Sequence, residues 1–335
     1  MLSTLLAVAG LGLLASVHEL GHCLAAAASG IDILEFSLGF GPRVVSYKCG
    51  RTEVSLRLIP FWAYAAMQDR SEPCGRGYLE KGVLQRIGVC LGGPIASLLL
   101  AALAFTTIFS VIGAPQPTTV IGEIMPGLPA EEAGFRVGDM ITAVNGRPVP
   151  SWDGVVAAFR DLAGTPVTVT VVRDGSPLDI RVTPVAGEGG RGIVGIRPSL
   201  QVRTEGVLLG LRDGFSQTLM VAVTWVRVLA AAVMGKVSVE IIGPVGMGHL
   251  ISQASRGGAA EVVFTVGVFS AMLGLGNLLP LPMFDGGKLV FLVLEAVRGK
   301  PVDPQKENLV HAIGLAVFLA LGFIILFKDI QRILT

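Results

Sequence analysis

Residues 18–22 read His18, Glu19, Leu20, Gly21, His22. On a helix, positions i and i+4 share one face, so the two imidazoles can present nitrogens to a single metal ion. Glu19 then lies beside that ion, where a carboxylate acts as base toward a water. The chemistry of such a trio is zinc-assisted hydrolysis. The chain contains four histidines, so a chance occurrence of this five-residue pattern is on the order of one in a hundred. The bland alternative is a pair of histidines satisfied by helix–helix hydrogen bonds. It leaves unexplained why three costly ionisable groups cluster within an apolar segment.

A catalytic zinc takes three protein ligands and keeps one position open. His249, His311, Cys23 and the acids are candidates for the third, and Asp285 stands out among them. It closes an apolar span in the run from Asn277 to Gly287, where Pro280 and Pro282 break the helix and Gly286 and Gly287 follow the acid. Irregular backbone at membrane depth is tolerated only where it is buried in protein or lines a wet cavity.

The elements that must position these groups are membrane helices. Only 15% of residues are charged, against about 25% in soluble chains, and the mean hydropathy is +0.68. A formal net charge of +1 without a dense basic patch excludes nucleic acid as a partner. Cys23, Cys49, Cys74 and Cys90 show no paired short spacing, which argues against a disulfide framework. A signal peptide is the rival reading of the N-terminus, but no Lys or Arg precedes Arg43. Gly10, Gly12 and Ala15 imitate a dinucleotide fingerprint without the strand it requires.

The expected fold is a polytopic α-helical membrane protein of about four transmembrane helices, with a membrane-associated β-sheet and one inserted α+β domain. The first transmembrane helix (1–30) carries the histidine motif. A β-region (31–82) follows, in which Leu34–Leu38, Arg43–Tyr47 and Glu53–Ile59 alternate like strands around Gly39, Gly41 and Pro42. A second helix (83–115) leads to the domain at 118–200. There Val120–Ile124 and Met140–Val144 read as strands and Asp153–Leu162 as a helix, while Val167–Arg173 and Leu178–Val182 form a hairpin about Asp174 and Gly175. Residues 205–258 are expected to hold an interfacial amphipathic helix, because Arg227 lies mid-way along 214–235 and a central Arg costs at least ~2.5 kcal/mol. A third helix (259–297) contains Asp285, and a fourth spans 306–328.

Basic residues, including Arg43, Lys48, Arg51, Arg57, Arg70, Arg76, Lys81 and Arg86, and later Arg298 and Lys300, place both short loops in the cytoplasm. The 118–200 domain and both termini then face outward. His18 and His22 lie ~24 to ~30 Å along an inward first span, and Asp285 ~34 Å along an inward third path. A crossing by 214–235 would reverse the third span and strand Asp285 at the far face.

With these motifs the sequence resembles the site-2 protease family of intramembrane zinc metalloproteases, in its bacterial branch that cleaves anti-sigma factors and signal-peptide remnants. The resemblance covers nearly the whole chain. It implies one catalytic Zn²⁺ held by His18, His22 and Asp285, with Glu19 as base and Asn277 contacting substrate. It also implies single-pass membrane proteins as substrates, a bacterial cytoplasmic-membrane location in contact with lipid, and an active site toward the cytoplasm. Phe36, Gly39 and Gly41 match a β-region that guides substrate as an added strand. Gly92, Gly93 and Pro94 match a second-span motif. Residues 120–197 look like a PDZ domain in permuted form, with Gly192, Gly195 and Ile196 in the loop that receives a peptide carboxylate. Met272, Lys288 (where His is usual), Ser97 (where Asn is usual) and Phe284 (where Leu is usual) depart from the pattern. Two other classes compete: a non-catalytic zinc-binding scaffold using its PDZ domain, which has no need of Glu19, and an ion transporter, for which no inverted repeat is visible.

Overall fold

The structure, a computed structural model, describes residues 2–68, 77–187, 190–237 and 243–334. Arg70, Cys74 and Arg76 lie outside the described residues. The chain forms two compact units, residues 1–112 with 205–335 and residues 113–204. Along the sequence, α1 (Leu2–Ala28), β1 (Ile33–Cys49), β2 (Thr52–Met67) and α2 (Val83–Thr107) come first. The inserted unit contributes β3 (Ala114–Ile124), α3 (Pro129–Glu132), β4 (Met140–Val144), β5 (Arg147–Pro148) and α4 (Trp152–Phe159). It continues with β6 (Val167–Arg173), β7 (Ser176–Val182), β8 (Val185–Ala186), β9 (Gly192–Ile193) and β10 (Ile196–Arg203). The first unit then resumes with α5 (Val207–Val233), α6 (Pro244–Gly257), α7 (Ala259–Asn277), α8 (Asp285–Arg298) and α9 (Pro304–Leu334).

Five of these helices are long and apolar enough to cross a membrane: α1, α2 with its extension to Ile112, α5, α7 and α9. Small residues set how closely they approach. A Cβ added at Gly21 would lie 2.2 Å from the Gly92 carbonyl oxygen, and one at Gly92 would lie 2.4 Å from that of Gly21. The backbones of α1 and α2 therefore touch where these glycines cross, as small residues permit between membrane helices. α7 approaches the other flank of α2, with Gly274 against the Pro94 carbonyl and the Ser270 hydroxyl donating to the Ser97 carbonyl at 2.7 Å.

Residues 214–235, expected as an interfacial helix, lie in a longer helix. The helix starts at Val207, seven residues earlier than expected, and packs along α2 through the buried Gly210, Gly214 and Thr218. Gly210 faces Ser110 and Gly214 faces Thr106, so α5 runs antiparallel to α2. With this start Arg227 falls six residues before the helix end at Val233. There a long side chain can reach an interface rather than stay at mid-span. Gly267 lies against Phe105 and Gly274 against Pro94, so α7 too runs antiparallel to α2 and shares the direction of α5. α6 packs on α1, with Gly248 against Leu11 and Ala7.

The β-region is richer than three strands. Gly39 and Gly41 adopt φ +89° and +90° and bend β1, so its two halves lie at different places in the sheet. Phe36 pairs with Val54 on one side and Ala65 on the other, while Ser46 pairs with Ser55. The order is 43–49, 52–57, 33–38, 63–67. Glu35 ties the layers together, accepting hydrogen bonds from Ser55, Arg57, Tyr64 and Arg43.

In the inserted unit the sheet order is β10-β3-β4-β6-β7. Its core holds Ile121, Ile141, Val167, Val169 and Val171 from the strands and Val155 from α4. The β6–β7 hairpin turns at Asp174 and Gly175, both with positive φ, as the Asp-Gly pair predicts. α4 is shorter at its C-terminal end than expected. Asp139 is buried, at 1% exposure. It accepts from Arg173 Nε and Nη2 and from the Arg136 backbone N–H, each at 2.8 Å. The Arg173 bonds hold its carboxyl below the ordinary range, against the opposing pull of burial.

Arg173→Ala leaves that carboxylate buried and unpaired, which costs about 3–5 kcal/mol. Amide exchange of the full-length protein should show protection lost across 113–204. Because the folded pKa is the lower one, the contribution is present above the ordinary carboxylate range and fades as pH falls through the folded value. The difference between wild type and variant should therefore shrink in acid.

Candidate metal centre

α1 carries both histidines because nothing interrupts its apolar run before residue 28. Asp285 is delivered by a different device. α7 ends at Asn277, and the turn through Pro280 and Pro282 leads into α8, which begins at Asp285. Added Cβ atoms at Gly286 and Gly287 would lie 2.3 Å from the carbonyl oxygens of Leu278, Leu279 and Leu281. Only glycine lets α8 pack on the turn this tightly.

The result is one cluster. His18 Nε2 lies 3.1 Å and His22 Nε2 3.3 Å from Asp285 Oδ2. The two rings meet edge to face with centroids 5.0 Å apart. Among the described residues, His18, His22 and Asp285 are the three whose ligand atoms converge as a metal ion requires. Glu19, half-buried, lies within electrostatic reach of all three and of Lys288.

Hydrogen bonds show that the donor set fits a cation. The Val89 carbonyl can only accept, so His22 Nδ1, 2.8 Å away, must be the protonated nitrogen. The lone pair of Nε2 in the neutral ring then points at a carboxylate oxygen, two acceptors facing across 3.3 Å. A positive charge belongs between them. His18 Nδ1 meets Ser97 Oγ at 2.9 Å, which holds the ring with Nε2 toward Asp285. Outer partners of this kind fix tautomer and ring orientation in metal sites. Two imidazoles, one carboxylate and an open position make the donor set of a catalytic zinc.

Gly93 forms the floor. A Cβ there would lie 2.3 Å from His22 Nε2 and 2.8 Å from His18 Nε2, so the cradle exists only because the residue has no side chain. Sequence reasoning missed Gly93, Val89 and Ser97 as parts of the site. Position 97 stood out only as a departure, yet it is fully buried and bonded to His18. The thiol of Cys90 donates to the Asp285 carbonyl.

Other expected residues lie elsewhere. Asn277 Nδ2 donates to the Leu273 carbonyl of its own helix at 3.0 Å, and no hydrogen bond among the described residues joins it to the cluster. Phe36 lies in a strand paired on both sides, which leaves no free edge there for an added strand. That corrects the placement of the substrate strand at Phe36. Gly39 and Gly41 form the bend instead. In the inserted unit, the Gly192 N–H donates to the Arg160 carbonyl at 2.9 Å, so it is not available to a carboxylate. Gly195 has φ +88°, and Ile196 opens β10, the terminal strand of its sheet.

Comparison with known proteins agrees with this geometry. Peptidase family M50 matches residues 6–321. Zinc metalloprotease RasP of Geobacillus kaustophilus is 29% identical, over 96% of this chain and 96% of its own length. The regulator of sigma-W protease RasP of Bacillus subtilis is 28% identical, again over 96% of each. The PDZ domain of an SdrC-like protein from Listeria monocytogenes aligns with 24% of this chain and 85% of its own length, at 16% identity and a TM-score of 0.22.

Ser97→Ala should weaken zinc binding about 10–100-fold, the usual effect of losing an outer partner. Gly93→Ala should do more, because it displaces the rings themselves. Chelator competition on detergent-purified protein measures both. Unchanged affinity in Gly93→Ala would show that the ion does not lie over this floor.

Proposed function

The chain belongs to peptidase family M50, and from that membership we propose how an intramembrane zinc metalloprotease of this sequence works and on what. The observation that carries the proposal is the convergence of His18, His22 and Asp285 on one point. Bound there, zinc would acidify a water and polarise the scissile carbonyl. His18 and His22, oriented by Ser97 and Val89, and Asp285, presented by the proline turn, would hold it. Glu19, one residue along the same helix from His18, takes the proton from the attacking water and passes it to the leaving amine. Asn277 steadies the substrate backbone, once its amide leaves the Leu273 carbonyl.

The substrates are single-pass membrane proteins of the anti-sigma-factor or signal-peptide-remnant type. Support comes from the regulator-of-sigma-W name of the Bacillus subtilis relative and from the apolar helices around the cluster. A helical substrate must unwind before attack, because its amides are otherwise bonded internally. Adding a strand to a sheet edge compensates those amides. Of the two outer strands, 43–49 and 63–67, the second pairs with 33–38, the strand that follows the histidine-bearing α1 in the chain. Residues 63–67 are therefore the edge assigned to substrate. The basic residues of the β-region support a cluster toward the cytoplasm and an inserted unit on the outer side. That unit is read as a single PDZ domain that either captures a peptide at β10 or excludes bulky substrates.

Glu19→Gln should retain zinc while cleavage of a co-expressed membrane substrate falls by more than about 100-fold, the lower range for a lost general base. Cleavage persisting near the wild-type rate would remove Glu19 from the mechanism. A photo-crosslinker at Ala65 should capture substrate in that variant, whereas one at Val45 should not. The reverse pattern would assign the other edge.

A further inference from the structure

The turn that delivers Asp285 is not held by its own residues alone. Three non-glycine residues among those described have positive φ: Asn145 at 48°, Asp174 at 51° and Met283 at 79°. The first two are Asn and Asp in tight turns, types that tolerate this region through their short polar side chains. Met283 has no such excuse. A linear aliphatic side chain in left-handed backbone persists only where its surroundings over-determine it.

Those surroundings come from α9. Within the turn, Leu281 N–H donates to Leu279, Phe284 N–H to Leu281 and Gly287 N–H to Phe284. The Met283 N–H instead leaves the turn and donates to Nδ1 of His311 at 3.2 Å. Accepting at Nδ1 makes His311 the neutral tautomer with its proton on Nε2. Phe291 of α8 packs against the imidazole at 5.7 Å between centroids. Two more residues of α9 join it. A Cβ at Gly314 would lie 2.1 Å from Pro282 Cβ, and the Phe318 ring meets Phe284 edge to face at 5.8 Å. Positions 311, 314 and 318 share one helical face. They grip Pro282, Met283 and Phe284, the three residues immediately before the metal ligand, on a helix whose apolar residues are otherwise largely exposed.

We infer that His311 is a positioning residue: by accepting the Met283 N–H it locks the left-handed turn that aims Asp285 at the two histidines. Its effect on the metal passes through the backbone and not through coordination. The inference rests on the metal-site reading above.

Zinc titration against a competing chelator, on full-length protein in detergent, tests it. His311→Leu should weaken zinc binding about 10–100-fold, as loss of an outer partner does. It should lower kcat with KM unchanged, and should alter the visible absorption of Co²⁺-loaded protein. His311→Asn, whose Oδ1 takes the place of Nδ1, should stay within about threefold of wild type. Met283→Gly in the His311→Leu background should recover most of the lost affinity, because glycine adopts the turn unaided. If His311→Leu does not accumulate as folded protein, recovery of folded, zinc-binding protein by Met283→Gly supports the inference and no recovery overturns it. His311→Leu binding zinc as tightly as wild type overturns it alone. Wild-type protein that takes up no zinc overturns the metal reading and this inference together.

Discussion

Everything in the membrane unit follows from a lone pair and a carboxylate that face each other across 3.3 Å. His22 Nδ1 donates to the Val89 carbonyl, so in the neutral ring Nε2 can only accept, and Asp285 Oδ2 is the atom it faces. Left without a positive charge, that arrangement is repulsive and poorly hydrated. A divalent ion between them would turn the repulsion into attraction. The fold is organised to hold this opposition in place.

Each neighbouring element contributes something that a generic helix bundle would not. α2 supplies two hydrogen-bond partners, Val89 and Ser97, and a bare floor at Gly93. It can do so because Gly21 and Gly92 let its backbone touch that of α1. α7 braces the reverse side through Ser270 and then stops, so that a proline turn and two glycines can swing a carboxylate back toward α1. α9 seats on that turn. The same small residues that allow close packing in lipid, where no hydrophobic force draws helices together, bring the metal ligands within reach.

Much of this was legible in the sequence, for physical reasons. The paired histidines and intervening acid announce themselves by helical spacing, and Asp285 by the helix-breaking residues around it. The strands around Gly39 and Gly41 and the Asp-Gly hairpin follow from alternation and turn chemistry, and they are where alternation placed them. What sequence did not show depends on neighbours across space. Gly93 and Ser97 are ordinary small residues until α1 is laid against them. The fourth strand, 63–67, lacks clean alternation because Ala63, Ala65 and Ala66 flank a single Tyr64 without an apolar–polar period of two. Its presence makes Phe36 interior and so moves the free edge. The start of α5 was also hidden: the helix begins at Val207, where it packs on α2, and this places Arg227 toward its C-terminal end.

The central claim is that one zinc ion is bound by two imidazoles and one carboxylate and by no sulfur. X-ray absorption at the zinc edge of the purified protein reads this directly. The predicted spectrum shows nitrogen and oxygen scatterers at about 2.0–2.2 Å, with the outer-shell signature of two imidazoles. A sulfur shell near ~2.3 Å, which would implicate Cys23 or Cys90, or a spectrum unchanged when Asp285 is replaced by Asn, would contradict it.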